Sequence, residues 1–307
     1  MNVLLKEHIH PDAECYLRQH ATVIDNLDQI QTIDAIILRS LPVDRNLIEQ
    51  APRLKVIGKH GVGCNTIDLE AAKEHGILVF NTPTANTNAV AELIVGLILN
   101  VARSISRADA QCRLDQIVEC APADMTGVEI TGKTIGLLGM GHIAQRVASI
   151  LTEAFQVRII GYDPFVDRAF AQRLGIEKYE TIKEVISQAD IVNVSVPLTE
   201  QTRNMISGEL FQCFKPGAIL INAARGGIVN EEDLYQALLH KKLRAAACDT
   251  FVQEPPTSQN KLLSLDNFCA TPHLGANTEE AMYRMGMEVV SGVLEALEGR
   301  RPAHIVQ

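Results

Sequence analysis

Short runs of β-branched and other apolar residues recur along the chain, and most are followed by a stretch whose apolar positions return every three or four residues. In the first third, 3–5, 35–38, 55–58 and 77–80 read as strands, with 44–51 and 68–75 as helices between them. From Lys133 onward the alternation is stricter, with strands expected at 134–138, 157–161, 190–196, 218–222, 245–249 and 267–271. Near-continuous apolar strands alternating with helices predict parallel sheets covered on both faces. Two longer helices flank the second block. Val90, Leu93, Ile94, Leu97, Ile98 and Val101 share one helical face, as do Met285, Val289, Gly292, Val293 and Ala296 in a helix over 277–298. The chain is therefore expected to leave a first α/β domain through one helix and return through the other. Residues 1–98 with 280–307 form the first domain in this reading, and 99–279 form an inserted, doubly wound parallel-sheet domain. Segment 103–131, which contains Pro122 and few sheet signals, is expected to be an arm outside the compact body.

A length of 307 residues agrees with two domains. The formal charge is −9, and the chain has no Trp. An acidic chain poor in stacking rings is not built to bind nucleic acid. Met1-Asn2-Val3-Leu4-Leu5-Lys6-Glu7-His8 has neither a basic start nor a long apolar run, so no signal peptide is expected. The most apolar stretch, 89–102, is interrupted by Glu92 and Asn100 and is too short to span a bilayer. The seven cysteines include no C-x-x-C pair and their number is odd, which predicts reduced thiols and a cytoplasmic protein. No H-E-x-x-H or other metal-ligand spacing occurs, so no metal is expected.

Candidate chemistry begins at Thr134-Ile135-Gly136-Leu137-Leu138-Gly139-Met140-Gly141-His142-Ile143-Ala144, a strand, a glycine turn and a helix start. Gly139 suits the tight turn, and Gly141 leaves room for a pyrophosphate. Ala144 lets the helix lie close to the sheet. The helix amides then face an anion, beside His142 and Ile143. His142 has a second reading, as a solvated surface histidine. Nineteen residues after Ala144, Asp163 ends the next strand. A carboxylate there accepts the ribose hydroxyls of NAD and repels the 2′-phosphate of NADP. NAD is the expected cofactor.

Further motifs follow in order. They are Lys59-His60-Gly61-Val62-Gly63, then Asn81-Thr82-Pro83 with Asn86 and Glu92, then Asn222-Ala223-Ala224-Arg225-Gly226-Gly227-Ile228-Val229-Asn230. Asp249-Thr250-Phe251 with Glu254-Pro255, and Thr271-Pro272-His273-Leu274-Gly275-Ala276, complete the set. Together these residues resemble the D-isomer-specific 2-hydroxyacid dehydrogenase family, most closely its phosphoglycerate dehydrogenase-like members. The likeness runs from about Lys55 to Arg301 and is weaker before it.

The resemblance implies a Rossmann domain inserted into a flavodoxin-like α/β substrate domain. It also implies NAD-linked interconversion of a small D-2-hydroxy acid and its 2-keto acid, such as 3-phosphoglycerate, glycerate or glyoxylate and their partners. Carried over by motif, Arg225, Glu254 and His273 are the catalytic trio. A guanidinium fork pairs with a carboxylate and polarises the keto oxygen. An imidazole oriented by a carboxylate exchanges the hydroxyl proton. Val196, Ala223, Ala224, Asp249 and Gly275 are implied on the nicotinamide side, with Arg225 and His273. Lys59, Gly61, Val62, Gly63 and Asn86 are implied at the substrate. The amides of Gly61 and Gly63 form an open anion nest in this reading. Lys59 stands where phosphoglycerate-specific relatives carry Arg, so it either meets a phosphate or sulfonate tail or is a solvated lysine. Thr82 is implied as a cofactor-side contact, and Glu92 as structural.

Two departures stand out. Many relatives carry Gly-x-Trp after the arm helix, where this chain has Asp115-Gln116-Ile117-Val118, which leaves the substrate's side chain open. The sequence stops soon after Gly299-Arg300-Arg301-Pro302, so no C-terminal regulatory domain is expected. A homodimer through arm 103–131 is expected. A cofactor-sensing co-repressor and a formate dehydrogenase are the competing readings of the same fold. The intact trio opposes the first, and Glu254, where the formate branch carries Gln, opposes the second.

Overall fold

The computed structural model describes residues 1–306, which form two compact units, 1–89 with 276–306 and 90–275. In the first unit β1 (Asn2–Leu5), β2 (Thr22–Ile24), β3 (Ala35–Leu38), β4 (Val56–Lys59) and β5 (Leu78–Asn81) make one sheet. Its order is β2-β1-β3-β4-β5, with every pair parallel. This is the flavodoxin-like order. Side chains alternate across a strand, so each strand feeds two cores. Leu4, Ile36, Ile57 and Val79 pack with Ile48, Ala71 and Ala72 on one face. Val3, Ile37, Val56 and Phe80 pack with Ala13, Leu17, Val289 and Val293 on the other. The last two belong to the helix Glu279–Leu297, which is capped by the Thr278 side chain.

The second unit contains β6 (Thr134–Leu138), β7 (Arg158–Tyr162), β8 (Glu177–Lys178), β9 (Ile191–Val194), β10 (Ala218–Asn222), β11 (Leu243–Cys248) and β12 (Phe268–Ala270). They pair in parallel in the order β12-β11-β10-β9-β6-β7-β8. This is the doubly wound dinucleotide-binding order with one strand added, and its direction reverses between β6 and β9.

The helix Thr87–Arg103 crosses between units at 89/90, and the return lies at 275/276. From the sequence these crossings are expected at 98/99 and 279/280. The difference comes from the helix's apolar stripe. Val90, Ala91, Ile94, Leu97, Ile98 and Val101 all pack with Ile135, Leu137 and Ile159 of the second unit. Each buried Ile or Leu there contributes about 1.5–3 kcal/mol, so the second unit holds the helix almost from its start. Periodicity reveals the stripe but not the core it joins. Glu92, expected to be structural, lies on the exposed side of this helix.

The elements the pattern did not show are short or weakly amphipathic. β2 and β8 have three and two residues and lie at sheet edges. The helix Pro11–His20 buries only Ala13 and Leu17. Within 103–131, the helix Ile105–Arg113 buries no residue. The segment is nevertheless tied back to its unit. Arg107 pairs with Asp124 at 2.5 Å and with Asp266 at 3.4 Å, and Arg244 donates to the Thr126 carbonyl.

No single helix among the described residues is long and apolar enough to cross a membrane. The bent pair Thr87–Arg103 and Ile105–Arg113 passes that test only together. The first of them places its apolar stripe in a protein core.

Candidate active site

The glycine turn leaves β6 at the point where strand order reverses. Gly139 has φ +93°, and a Cβ there would lie 2.4 Å from the Ser195 carbonyl oxygen at the end of β9. Only glycine permits that approach. Val196 follows, its side chain 3.0 Å from the same Cβ position. Gly141 is the N-cap of the helix His142–Phe155 and supplies no side-chain cap to its first amides. A Cβ on Gly141 would meet nothing within 4 Å, so the approach to those amides is open. Ala144 is fully buried, Ile143 packs partly against the core, and His142 is exposed at the helix start. Asp163, just beyond β7, accepts the Met140 N–H at 2.8 Å and the Phe165 N–H at 2.9 Å. Two backbone donors thus fix its carboxylate beside the turn. An uncapped helix start, an open glycine and an anchored carboxylate fit a dinucleotide's pyrophosphate and ribose.

A second cluster stands at the carboxyl ends of β10, β11 and β12. His273 Nδ1 lies 2.8 Å from Glu254 Oε2, and Glu254 Oε1 accepts the Phe251 N–H at 3.0 Å. Burial pushes the Glu254 carboxyl up. The hydrogen bond and charge of His273, the Phe251 amide and the nearby Arg225 charge outweigh it, and the net pKa is lowered. Glu254 is therefore ionised and holds Nδ1–H toward itself, which leaves Nε2 as the ring nitrogen that this carboxylate does not engage. Arg225 is half-buried, and its Nη1 donates to the Ala224 carbonyl at 2.6 Å. Ala223 and Ala224 pack partly against the two cores that flank the sheet.

Sequence reasoning overlooked what brings these loops together. A Cβ on Gly226 would lie 2.0 Å from the Phe251 carbonyl carbon and oxygen, so the Arg225 turn rests directly on the loop that carries Glu254. Asp249 is 1% exposed. Its Oδ1 accepts from the Thr271 hydroxyl at 2.6 Å and the Leu274 N–H at 2.7 Å, and its Oδ2 from the Gly275 N–H at 2.9 Å. Its backbone carbonyl also accepts the His273 N–H at 2.9 Å. Asp249 therefore shapes the turn in which His273 adopts φ +57°. The signal available in the sequence was a polar residue closing an otherwise apolar strand, at both Asn222 and Asp249.

In the first unit, the turn after β4 departs from the expected nest. The Gly61 N–H is not open to a ligand, because it donates to Thr82 Oγ1 at 2.9 Å. Thr82 is 0% exposed, and its hydroxyl oxygen serves this turn. Lys59 is not a solvated lysine: it is 6% exposed, and its Nζ donates to the Arg39 carbonyl. Val62 is exposed, and its carbonyl accepts from Asn81 Nδ2 at 2.7 Å. Asn86 is 7% exposed, with its Oδ1 unpartnered among the described residues. His60 is buried, and desolvation together with the Arg39 charge lowers its pKa to about 4.

Residues 95–275 match the family model described as D-isomer specific 2-hydroxyacid dehydrogenase, NAD binding domain. The chain is 41% identical to a hydroxypyruvate reductase of Thermotoga maritima over 271 residues, 87% of this chain and 86% of that protein. It is 40% identical to a D-3-phosphoglycerate dehydrogenase of Methanocaldococcus jannaschii over 315 residues, which takes in all of this chain. The chain spans 59% of the length of that relative. Among solved structures, the TT0316 protein from Thermus thermophilus superimposes with a TM-score of 0.92 at 32% identity, with full coverage of both chains.

Proposed function

The chain belongs to the D-isomer-specific 2-hydroxyacid dehydrogenase family, and from that premise we propose that it interconverts a D-2-hydroxy acid and its 2-keto acid with NAD. The observation that carries this reading is the 2.8 Å His273–Glu254 pair with the Arg225 turn packed against the same loop. When bound, the nicotinamide accepts the hydride in oxidation and donates it in reduction. Arg225 pairs its fork with the substrate carboxylate and draws electron density from the keto oxygen. In reduction His273 Nε2 gives its proton to that oxygen, and in oxidation it takes the hydroxyl proton back. Glu254 stabilises the imidazolium without taking the proton itself. Gly139, Gly141, His142, Ile143 and Asp163 hold the dinucleotide, with Val196, Ala223, Ala224, Asp249 and Gly275 toward its nicotinamide end.

Lys59, Val62, Gly63 and Asn86 are assigned to the substrate, with Gly61 shaping the turn through its bond to Thr82. The substrates proposed are the small acids of the two named relatives and glyoxylate. The charges of Lys59 and Arg39 both act on His60 in this turn and favour a substrate with a second anionic group. Arm 103–131 is proposed to carry a homodimer contact, since Ile105, Leu114 and Val118 on it are 55%, 66% and 96% exposed. The seven free thiols suit a cytoplasmic protein.

The experiment is NADH oxidation against glyoxylate, hydroxypyruvate, 3-phosphohydroxypyruvate, pyruvate and oxaloacetate. Turnover of at least one supports the proposal, and turnover of none by folded, NADH-binding protein refutes it.

A further inference from the structure

Asn222 is the last residue of β10, between Val194 of β9 and Cys248 of β11, and it is 2% exposed. An amide here is costly to bury unless both of its ends are hydrogen-bonded. Both ends are. Oδ1 accepts the Ala224 N–H at 3.1 Å, and Nδ2 donates to the Arg225 carbonyl at 3.0 Å. The partners fix the orientation of the amide, because an N–H needs the oxygen and a carbonyl needs the nitrogen. One side chain thus spans the turn from the residue before Arg225 to Arg225 itself. The opposite side of the turn is limited by Gly226 against Phe251, and the next residue, Gly227, has φ +80°. The Asn222 backbone carbonyl accepts the Asp249 N–H at 2.9 Å, which links this clamp to the strand end that shapes the His273 turn.

We propose that Asn222 is a positioning residue of the reaction: its side-chain amide sets the direction of the Arg225 guanidinium. The inference rests on the proposed role of Arg225. Bidentate pairing with a carboxylate is sensitive to the tilt of a rigid fork, so a turn freed on one side loses substrate binding and rate together. His273, held by Glu254 and Asp249, keeps its own geometry.

The test uses Asn222→Asp, which keeps the shape and the acceptor for Ala224 but turns the donor to Arg225 into a second acceptor. We expect kcat/KM for the keto acid to fall about 10- to 100-fold. The Kd for NADH and the pH profile should stay as in the native protein. In an Arg225→Lys background, which has no fork to aim, the same change should cost less than about threefold. Should the Asp variant not fold, Asn222→Ser, which retains a single short hydroxyl, carries the same comparison. Native kcat/KM in the folded variant overturns the proposal, as does an equal loss with and without Arg225. A native enzyme that turns over no keto acid instead refutes the function on which the inference rests.

Discussion

His273 Nδ1 and Glu254 Oε2 lie 2.8 Å apart, although 19 residues separate them and His273 needs a left-handed backbone to reach the contact. The carboxylate is held in turn by the Phe251 amide. The imidazole therefore has one nitrogen committed to orientation, and the proposed proton transfer falls to the other.

Glu254→Gln keeps a hydrogen-bonding group beside His273 but removes the negative charge. In the proposed role the carboxylate orients Nδ1 and balances charge on the ring during proton transfer. The kcat for keto-acid reduction should fall about 10- to 100-fold, with the Kd for NADH unchanged. Steady-state kinetics and NADH titration check this. A native kcat in the folded variant would remove Glu254 from its role.

Gly226→Ala places a methyl 2.0 Å from the Phe251 carbonyl, where no side chain can yield. The backbone of one loop must shift, which costs about 1–3 kcal/mol. A lowered Tm together with a larger loss of keto-acid turnover than of NADH affinity is expected. Thermal unfolding and kinetics on one preparation measure both.

Asp163→Ala should weaken NADH binding and narrow the preference over NADPH. In its proposed role the anchored carboxylate accepts ribose hydroxyls and repels a 2′-phosphate. The ratio of kcat/KM values for the two cofactors is the readout, and a native protein that prefers NADPH contradicts the assignment.

His60 links stability to pH. Its folded pKa of about 4 lies below the ordinary histidine value of 6.5, so the folded state binds the proton less readily than the unfolded state. The stability this confers is complete above about pH 6.5 and is lost as pH falls toward 4, with an upper limit of about 3 kcal/mol. Denaturant unfolding at several pH values should show a shallower decline for His60→Gln than for the native chain. Parallel declines would argue against a buried neutral imidazole.

Much of this was legible in the sequence. The β6 glycine turn and Asp163 declared the dinucleotide cradle, because strand, turn and acid follow one another within thirty residues. Arg225, Glu254 and His273 were readable as a set through their motifs. Two kinds of feature were not. The Gly61 N–H looked open because the hydroxyl that satisfies it, on Thr82, is 21 residues away. Lys59 left two readings open because burial of a lysine depends on the Arg39 strand end, which periodicity does not place beside it. Asn222 ends β10 and Asp249 directly follows β11, both as polar residues. Only the bonds they make to the next turns distinguish anchors from ordinary loop starts.

Proton transfer by His273 is tested by comparing native protein with His273→Ala for NADH-dependent reduction of the best keto acid, beside NADH affinity measured by fluorescence. We expect an unchanged Kd for NADH and a kcat lower by about 10²- to 10⁴-fold, the usual contribution of a positioned general acid. A His273→Ala enzyme that binds NADH and turns over at the native rate would contradict it.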